Sequence, residues 1–477
     1  MRIPTLRRRD ESSGVLSPAA FVATLAPAVA LAVPAFGDSA PELPPVEASA
    51  AADDVLALKG ARVIVRPGEV LEGATVLVKN GVIVAVGADV AVPDGARTVE
   101  GAVVCAGFID PWSSLGIDGA TFSDGRTNAA TRATDGLDPW SSDYARSEAA
   151  ASGVLMVRVQ SGDGSEFGGI GAVVRNGLAG DHLVLESEAL VAAAVGLSDG
   201  RRAKDPFDRV GEADRLASKL EDGFDYRADW LQYADELEAW EAEIAKEEAK
   251  LEKDFKKAKK KRDKDVEEAE EEGEEFEDKK YKEDKRPRMP RYDASKEVLA
   301  RIVDGELPLV VRCEGAAELR ALLAATKPFP RLRMTIAGGS GAPLLARELV
   351  DRGIPVIVQP IPYADGSSAR PEGHDLGLAG RLEELGVKVL LGTGGAQARD
   401  LPLLAGLAVG HGLDAKAAFE ALTVGAARAL DIADRVGTVE VGKHAELLVL
   451  DGDPLTSQAR VRAAISAGRV VHEAPTR

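Results

Sequence analysis

Two cysteines, four methionines and five histidines are all that a chain of 477 residues holds of these types, and aromatic residues make up only 4%. Two cysteines cannot build a disulfide framework. Either they form a single Cys105–Cys313 bridge or they are two buried free thiols, since a thiol packs as a small hydrophobe. Scarce aromatics leave a core of Val, Leu, Ala and Ile. The length allows one large α/β domain plus a smaller one. Basic charge is short as well: 59 Lys and Arg stand against 78 Asp and Glu, a net charge of −19. A nucleic-acid partner would require a basic face, so that class is excluded. Several common constellations are also missing. "GDGSEFGGIG" is glycine-rich, but no Lys-Ser/Thr pair follows it as in a phosphate loop. "GTGGAQARD" lacks the βαβ setting and distal acid of a dinucleotide site. No Ser-His-Asp constellation can be assembled from the spacing.

What is present starts with Arg7, Arg8 and Arg9, followed by an apolar, small-residue run from Val15 to Phe36. The triplets Ala30-Leu31-Ala32 and Asp38-Ser39-Ala40 each suit the position before a cleavage point. Residues 1–37 are therefore expected to be an export signal, which places the protein in the periplasm or outside the cell. A membrane anchor is the other reading, because about 20 apolar residues suffice to span a bilayer. Pro18, Pro27 and Pro34 make that helix a poor one. With the signal removed, no membrane span is expected in the mature chain. Residues 38–52 read as a Pro/Ala-rich linker.

Short strands come next. Val76–Val78 and Val82–Val86 flank Lys79-Asn80-Gly81, and Asn-Gly is a strong hairpin signal because both residues accept a positive φ. From residue 107 the pattern changes. Buried-strand runs at 153–160, 182–187, 307–314, 333–339, 354–360 and 387–395 alternate with helical stretches such as 316–326 and 343–353. This alternation implies a parallel sheet, and continuous Val/Leu/Ile runs imply strands covered on both faces. Six or seven such strands favour a (β/α)8 TIM-like barrel over an open sheet. The charged stretch Asp235–Arg288 interrupts the alternation. It reads as an exposed helical insert with a thin stripe of Leu237, Trp240, Ile244, Leu251 and Phe255, or else as a docking arm for a partner. The last residues return to short strands that should pair with the first ones. The division expected is a discontinuous β-sandwich (53–105 and 436–477) with the barrel, 106–435, inserted into it.

Motifs in this order resemble the amidohydrolase superfamily, in particular its imidazolonepropionase-like branch, over residues 55 to 475. "TVLVKNGVIVAVG" with the later "AGFID" looks like the family's entry from sandwich into barrel. "GVLMVRVQSGDGSEFGGIGAVVRNG" looks like the branch's glycine-rich segment. "ALTVGAARALDI" and "GTVEVGKHAELLVLDGDPL" look like its closing helix and signature. The resemblance implies hydrolysis of non-peptide C–N bonds by a water activated on one or two divalent metals, Zn²⁺ or another. It also implies the ligands: His-x-His after the first strand, Lys or Glu mid-barrel, His on the fifth and sixth strands, and Asp ending the eighth.

In this chain the positions that match hold other residues. Trp112 and Ser114 stand for His-x-His, Arg312 or Glu314 for the fifth-strand His, Gly338 for the sixth-strand His and Gly394 for the Asp. The mid-barrel stretch 189–197 has no Lys or Glu. Only Glu314 could ligate, and Arg312 adds a charge that opposes a cation. No metal or other cofactor is therefore expected, and Trp112 should fill the space of the metal centre. His182, His411, His444 and His472 read as surface or turn residues. His374, with Asp365, Glu372 and Asp375 nearby, lies on a loop of the face that lines barrel active sites. Three functions remain open. One is a degenerate amidohydrolase serving as a binding or assembly subunit, as a homo-oligomer or beside an active relative. A second is a hydrolase using Glu314, Asp365, His374 and Asp400, with Arg312 holding a substrate carboxylate. The third is a small-molecule binder at the barrel mouth.

Overall fold

In β1 (Val55–Arg66) Leu56–Leu58 are buried together, and from there to Arg66 buried positions such as Leu58, Gly60, Val63 and Val65 are separated by more exposed ones, as in a strand with one face covered. The computed structural model describes residues 55–113, 115, 128–140, 144–161, 166–196, 206–272, 286–361, 375–395 and 397–475, without the side chains of 206–210 and 247–272. The readings for 1–37 and 38–52 lie outside the described residues. β2 (Glu69–Glu72) and β3 (Thr75–Lys79) pair antiparallel with β1, and β4 (Val82–Gly87) pairs with β3. The β3–β4 turn is the expected Asn-Gly one: Asn80 and Gly81 have φ of 51° and 79°. β5 (Arg97–Ala106) runs parallel to β1.

The chain then enters a second sheet of eight strands. They are β6 (Phe108–Asp110), β7 (Val154–Val159), β8 (Phe167–Arg175), β9 (Val184–Ala194), β10 (Leu309–Cys313), β11 (Met334–Gly338), β12 (Val356–Val358) and β13 (Val389–Leu391). Each pairs with the next, and a parallel bridge between Ser113 and Gly395 brings the first strand's continuation against the last's. The result is an α/β fold around a nearly closed barrel. One strand departs from the expected all-parallel (β/α)8 pattern: β8 is antiparallel to both β7 and β9. All nine of its residues are buried, although the expected buried-strand runs did not include this glycine-rich segment.

Outside the barrel lie α1 (Tyr144–Ala151), α2 (Pro206–Glu272), α3 (Ala294–Val303), α4 (Ala316–Ala325), α5 (Ala346–Asp351), α6 (Leu378–Glu384), α7 (Leu401–Gly410), α8 (Ala415–Leu422) and α9 (Val424–Ala429). Asp293 and Asp414 cap α3 and α8 by accepting from two backbone N–H groups each. The charged helix starts earlier than Asp235. Ala213, Leu216 and Leu220 of α2 are buried, and a Cβ on Gly223 would lie 2.6 Å from the backbone of Leu299. The first part of α2 is thus a barrel helix packed on α3, and the charged part extends it. Residues 273–285 of the expected insert lie outside the described residues.

β14 (Leu447–Leu450), β15 (Val461–Ser466) and β16 (Arg469–Glu473) return to the first sheet, β14 pairing antiparallel with β5. The two ends of the folded chain therefore share one hydrogen-bonded sheet, with its own core of Leu58, Val76, Ile83, Leu447 and Ile465. One buried ion pair ties the two sheets together. Arg175 Nε of β8 donates to Glu446 Oε1 at 2.7 Å, and Ser466 Oγ donates to Glu446 Oε2 at 2.6 Å. Both cysteines are free and buried, so the bridge reading is set aside. Among the described residues, no helix is long and apolar enough to cross a membrane.

Candidate functional site

β6 ends at Asp110, and the next residues turn across the barrel mouth. Trp112 is 2% exposed, among the largest fully covered side chains. Room for it comes from Gly392, where a Cβ would lie 2.9 Å from the Trp112 Cβ. The guanidinium of Arg312, on β10, sits 5.6 Å from the centre of its ring, within cation–π range. Two of the positions that the resemblance gives to metal ligands are thus in contact, and hold a cation against an aromatic face.

The other described positions are filled just as fully. Gly338 ends β11 with φ of 97°, and a Cβ there would be 2.3 Å from Glu314 Oε1. The Glu314 carboxylate occupies the place that a sixth-strand His would need. Ser340 N donates to Glu314 Oε2 at 3.4 Å, and Ser340 Oγ donates to the Glu314 carbonyl at 3.0 Å. Gly394, with φ of 67°, donates its N–H to the Trp112 carbonyl at 2.7 Å. A Cβ at Gly394 would meet the Gln359 amide at 2.7 Å, and Gln359 Nε2 donates to the Thr393 carbonyl at 2.6 Å. Residues 189–194 of the mid-barrel stretch lie in β9, all buried, with no polar side chain among them.

Sequence reasoning missed the polar centre beneath this layer. Asp110 is fully buried. Its Oδ1 accepts from Trp112 N at 3.0 Å and Thr393 N at 3.2 Å, and its Oδ2 accepts from Thr393 Oγ1 at 2.5 Å. Burial pushes its pKa up to about 7; the Thr393 and Trp112 hydrogen bonds and the Arg158 charge pull the other way. Arg158, on β7, is itself 1% exposed. This carboxyl joins the ends of the first and last strands, 283 residues apart in sequence. The available signal was an acid closing the apolar run "GFID", read only as part of a motif.

The remaining candidates do not converge on this centre. Asp400 lies at the start of α7, 3.8 Å from Arg399 Nε. Asp375 pairs with Arg381, which holds its carboxyl below the usual range. His182 and His411 are exposed turn and helix-end residues, and His472 is half-buried in β16. His444 is half-buried, with Nδ1 3.2 Å from Arg175 Nη2. Burial first, then the Arg175 charge, lowers its pKa. Ser114, Asp365, Glu372 and His374 lie outside the described residues. Among the described residues no three His, Cys, Asp or Glu side chains form a group that could hold a metal. Among the described residues, the positions that the resemblance gives to ligands do not fit the family's metal: they hold an indole, a guanidinium, two glycines and one carboxylate.

Comparisons with known proteins bear on the fold. Residues 368–472 match the model of the amidohydrolase family. A 79-residue stretch is 43% identical to imidazolonepropionase of Syntrophobacter fumaroxidans, which is 16% of this chain and 19% of that protein. The chain thus aligns with about a fifth of that relative's length. The crystal structure of an amidohydrolase from Thermotoga maritima superposes with a TM-score of 0.66 over 88% of this chain and all of that one, at 23% identity, and so shares its fold. The closing segment therefore matches the amidohydrolase family, a short stretch is similar to an imidazolonepropionase, and the barrel has the fold of an amidohydrolase.

Proposed function

We propose that this protein keeps the amidohydrolase scaffold but not its metal-dependent hydrolysis, and serves as a binding or assembly subunit. The observation that carries the reading is the Trp112–Arg312 contact. A buried indole takes up the volume of a metal centre, and a guanidinium 5.6 Å from the ring centre opposes any cation there. The Glu314 carboxylate against Gly338 and the Gln359 amide against Gly394 support it, since neither glycine has room for a ligating side chain. The chemistry of the barrel mouth suits a partner or an uncharged or anionic small molecule better than a metal-bound water. The family's substrates, cyclic amides and related C–N compounds, provide the test. Zinc-supplemented protein should show no turnover of such compounds above buffer. Turnover that disappears when Glu314 and His374 are both replaced by Ala would overturn the proposal in favour of a hydrolase with substitute residues.

A further inference from the structure

Helix α2 keeps one face apolar well beyond the barrel. On that face Ala213, Leu216, Leu220 and Tyr226 are buried. Asp293 N donates to the Tyr226 hydroxyl at 3.4 Å, and Arg227 Nε lies 3.0 Å from Asp304 Oδ2 at the end of α3. The same face goes on through Trp230, Tyr233, Leu237, Trp240 and Ile244, spaced alternately three and four residues apart. These five are half-buried, and every residue between them is exposed. Tyr226, Trp230 and Tyr233 stack edge-on, with centroids 6.2 and 6.1 Å apart. Alternating three and four is the period of a coiled-coil seam, and a helix kept to it presents one stripe along its whole length.

The charges beside the stripe decide which partner fits. Residues 230–241 carry four acids (Asp235, Glu236, Glu238, Glu241) and no base. Residues 253–264 carry eight bases and only two acids, Asp254 and Asp263. One helix therefore holds an acidic block and a basic block on either side of Glu247. We propose that α2 pairs antiparallel with α2 of a second copy, the two-fold axis passing near Glu247. In that arrangement each acidic block lies along the other copy's basic block, twice by symmetry, as a self-complementary two-fold contact requires. The sequence positions Leu251 and Phe255 then fall alongside the Trp240–Ile244 stretch of the second copy. A parallel, in-register pair would set basic block on basic block, at a cost. The inference concerns assembly alone and does not depend on what the barrel mouth does.

Light scattering on the eluting full chain tests it. At micromolar concentration the mass should be twice that of the 50.0 kDa chain. Leu237→Asp combined with Ile244→Asp should raise the dissociation constant at least tenfold and leave the thermal transition of the barrel in place. A second reading fixes direction: Glu247→Cys should cross-link two chains on oxidation, and Asp229→Cys should not. A monomeric wild type, a dimer that survives the double substitution, or cross-linking at both positions would overturn the proposal.

Discussion

Replacing Asp110 by Asn should change how stability depends on pH, in a direction and by an amount that the structure sets. Burial holds the Asp110 carboxyl at about 7, against about 3.9 in an unfolded chain. The folded protein therefore binds this proton more tightly than the unfolded one. The associated stabilisation is complete below pH ~4, declines as pH rises, and is gone above ~7. Over the whole interval it amounts to roughly 4 kcal/mol, and between pH 5.5 and 7 to about 2 kcal/mol. That narrower window avoids the isoelectric point near 4.9. The amide keeps an acceptor for Trp112 N and Thr393 N and carries no charge. The Thr393 hydroxyl, which also lies 3.3 Å from the Gly395 carbonyl, can turn to donate there. Urea unfolding of both proteins at several pH values between 5.5 and 8 gives the comparison. From pH 5.5 to 7 the wild type should lose about 2 kcal/mol relative to the Asp110→Asn variant. Parallel pH profiles, or a wild type that gains on the variant as pH rises, would refute the reasoning.

Three further outcomes follow from the same geometry. Trp112→Ala should cost about 3–5 kcal/mol, because a buried indole leaves a cavity and Arg312 loses its aromatic face; the thermal midpoint reads it, and a loss below ~1 kcal/mol would mean the mouth is not packed. Glu446→Gln should destabilise by about 3–5 kcal/mol, since Arg175 would keep a buried charge without its partner, whereas Glu473→Gln, which removes an exposed partner of Arg97, should cost no more than ~1 kcal/mol in the same denaturation assay. Both cysteines should resist a thiol reagent in the native state and react on unfolding, because they are buried and burial pushes the Cys105 thiol up; fast native labelling would contradict their placement.

Much of the fold was legible because its signals are local. The Asn80-Gly81 turn needs only two residues, and the buried runs at 154–159, 309–313 and 334–338 announce themselves as short, mostly apolar stretches between helical ones. β8 was not, because "FGGIGAVVR" is glycine-rich and its covering comes from β7 and β9. The start of α2 was hidden by charge. Its apolar face at Ala213, Leu216 and Leu220 is narrow, and it matters only once α3 lies against it. At the mouth, the residues that the resemblance assigns to ligand positions were named one by one from the motifs. Their contacts could not: Trp112 meets Arg312, and Asp110 meets Thr393, across separations that no local pattern encodes. Gln359 was missed for the same reason, since its role is to fill the space over Gly394.

The most direct test of the central claim is the metal content of protein purified in the presence of added Zn²⁺, by elemental analysis. On the proposal that Trp112 and Arg312 take the place of the metal, the account predicts close to no bound metal per chain. One or two ions per chain would contradict it and show that other residues have rebuilt the centre.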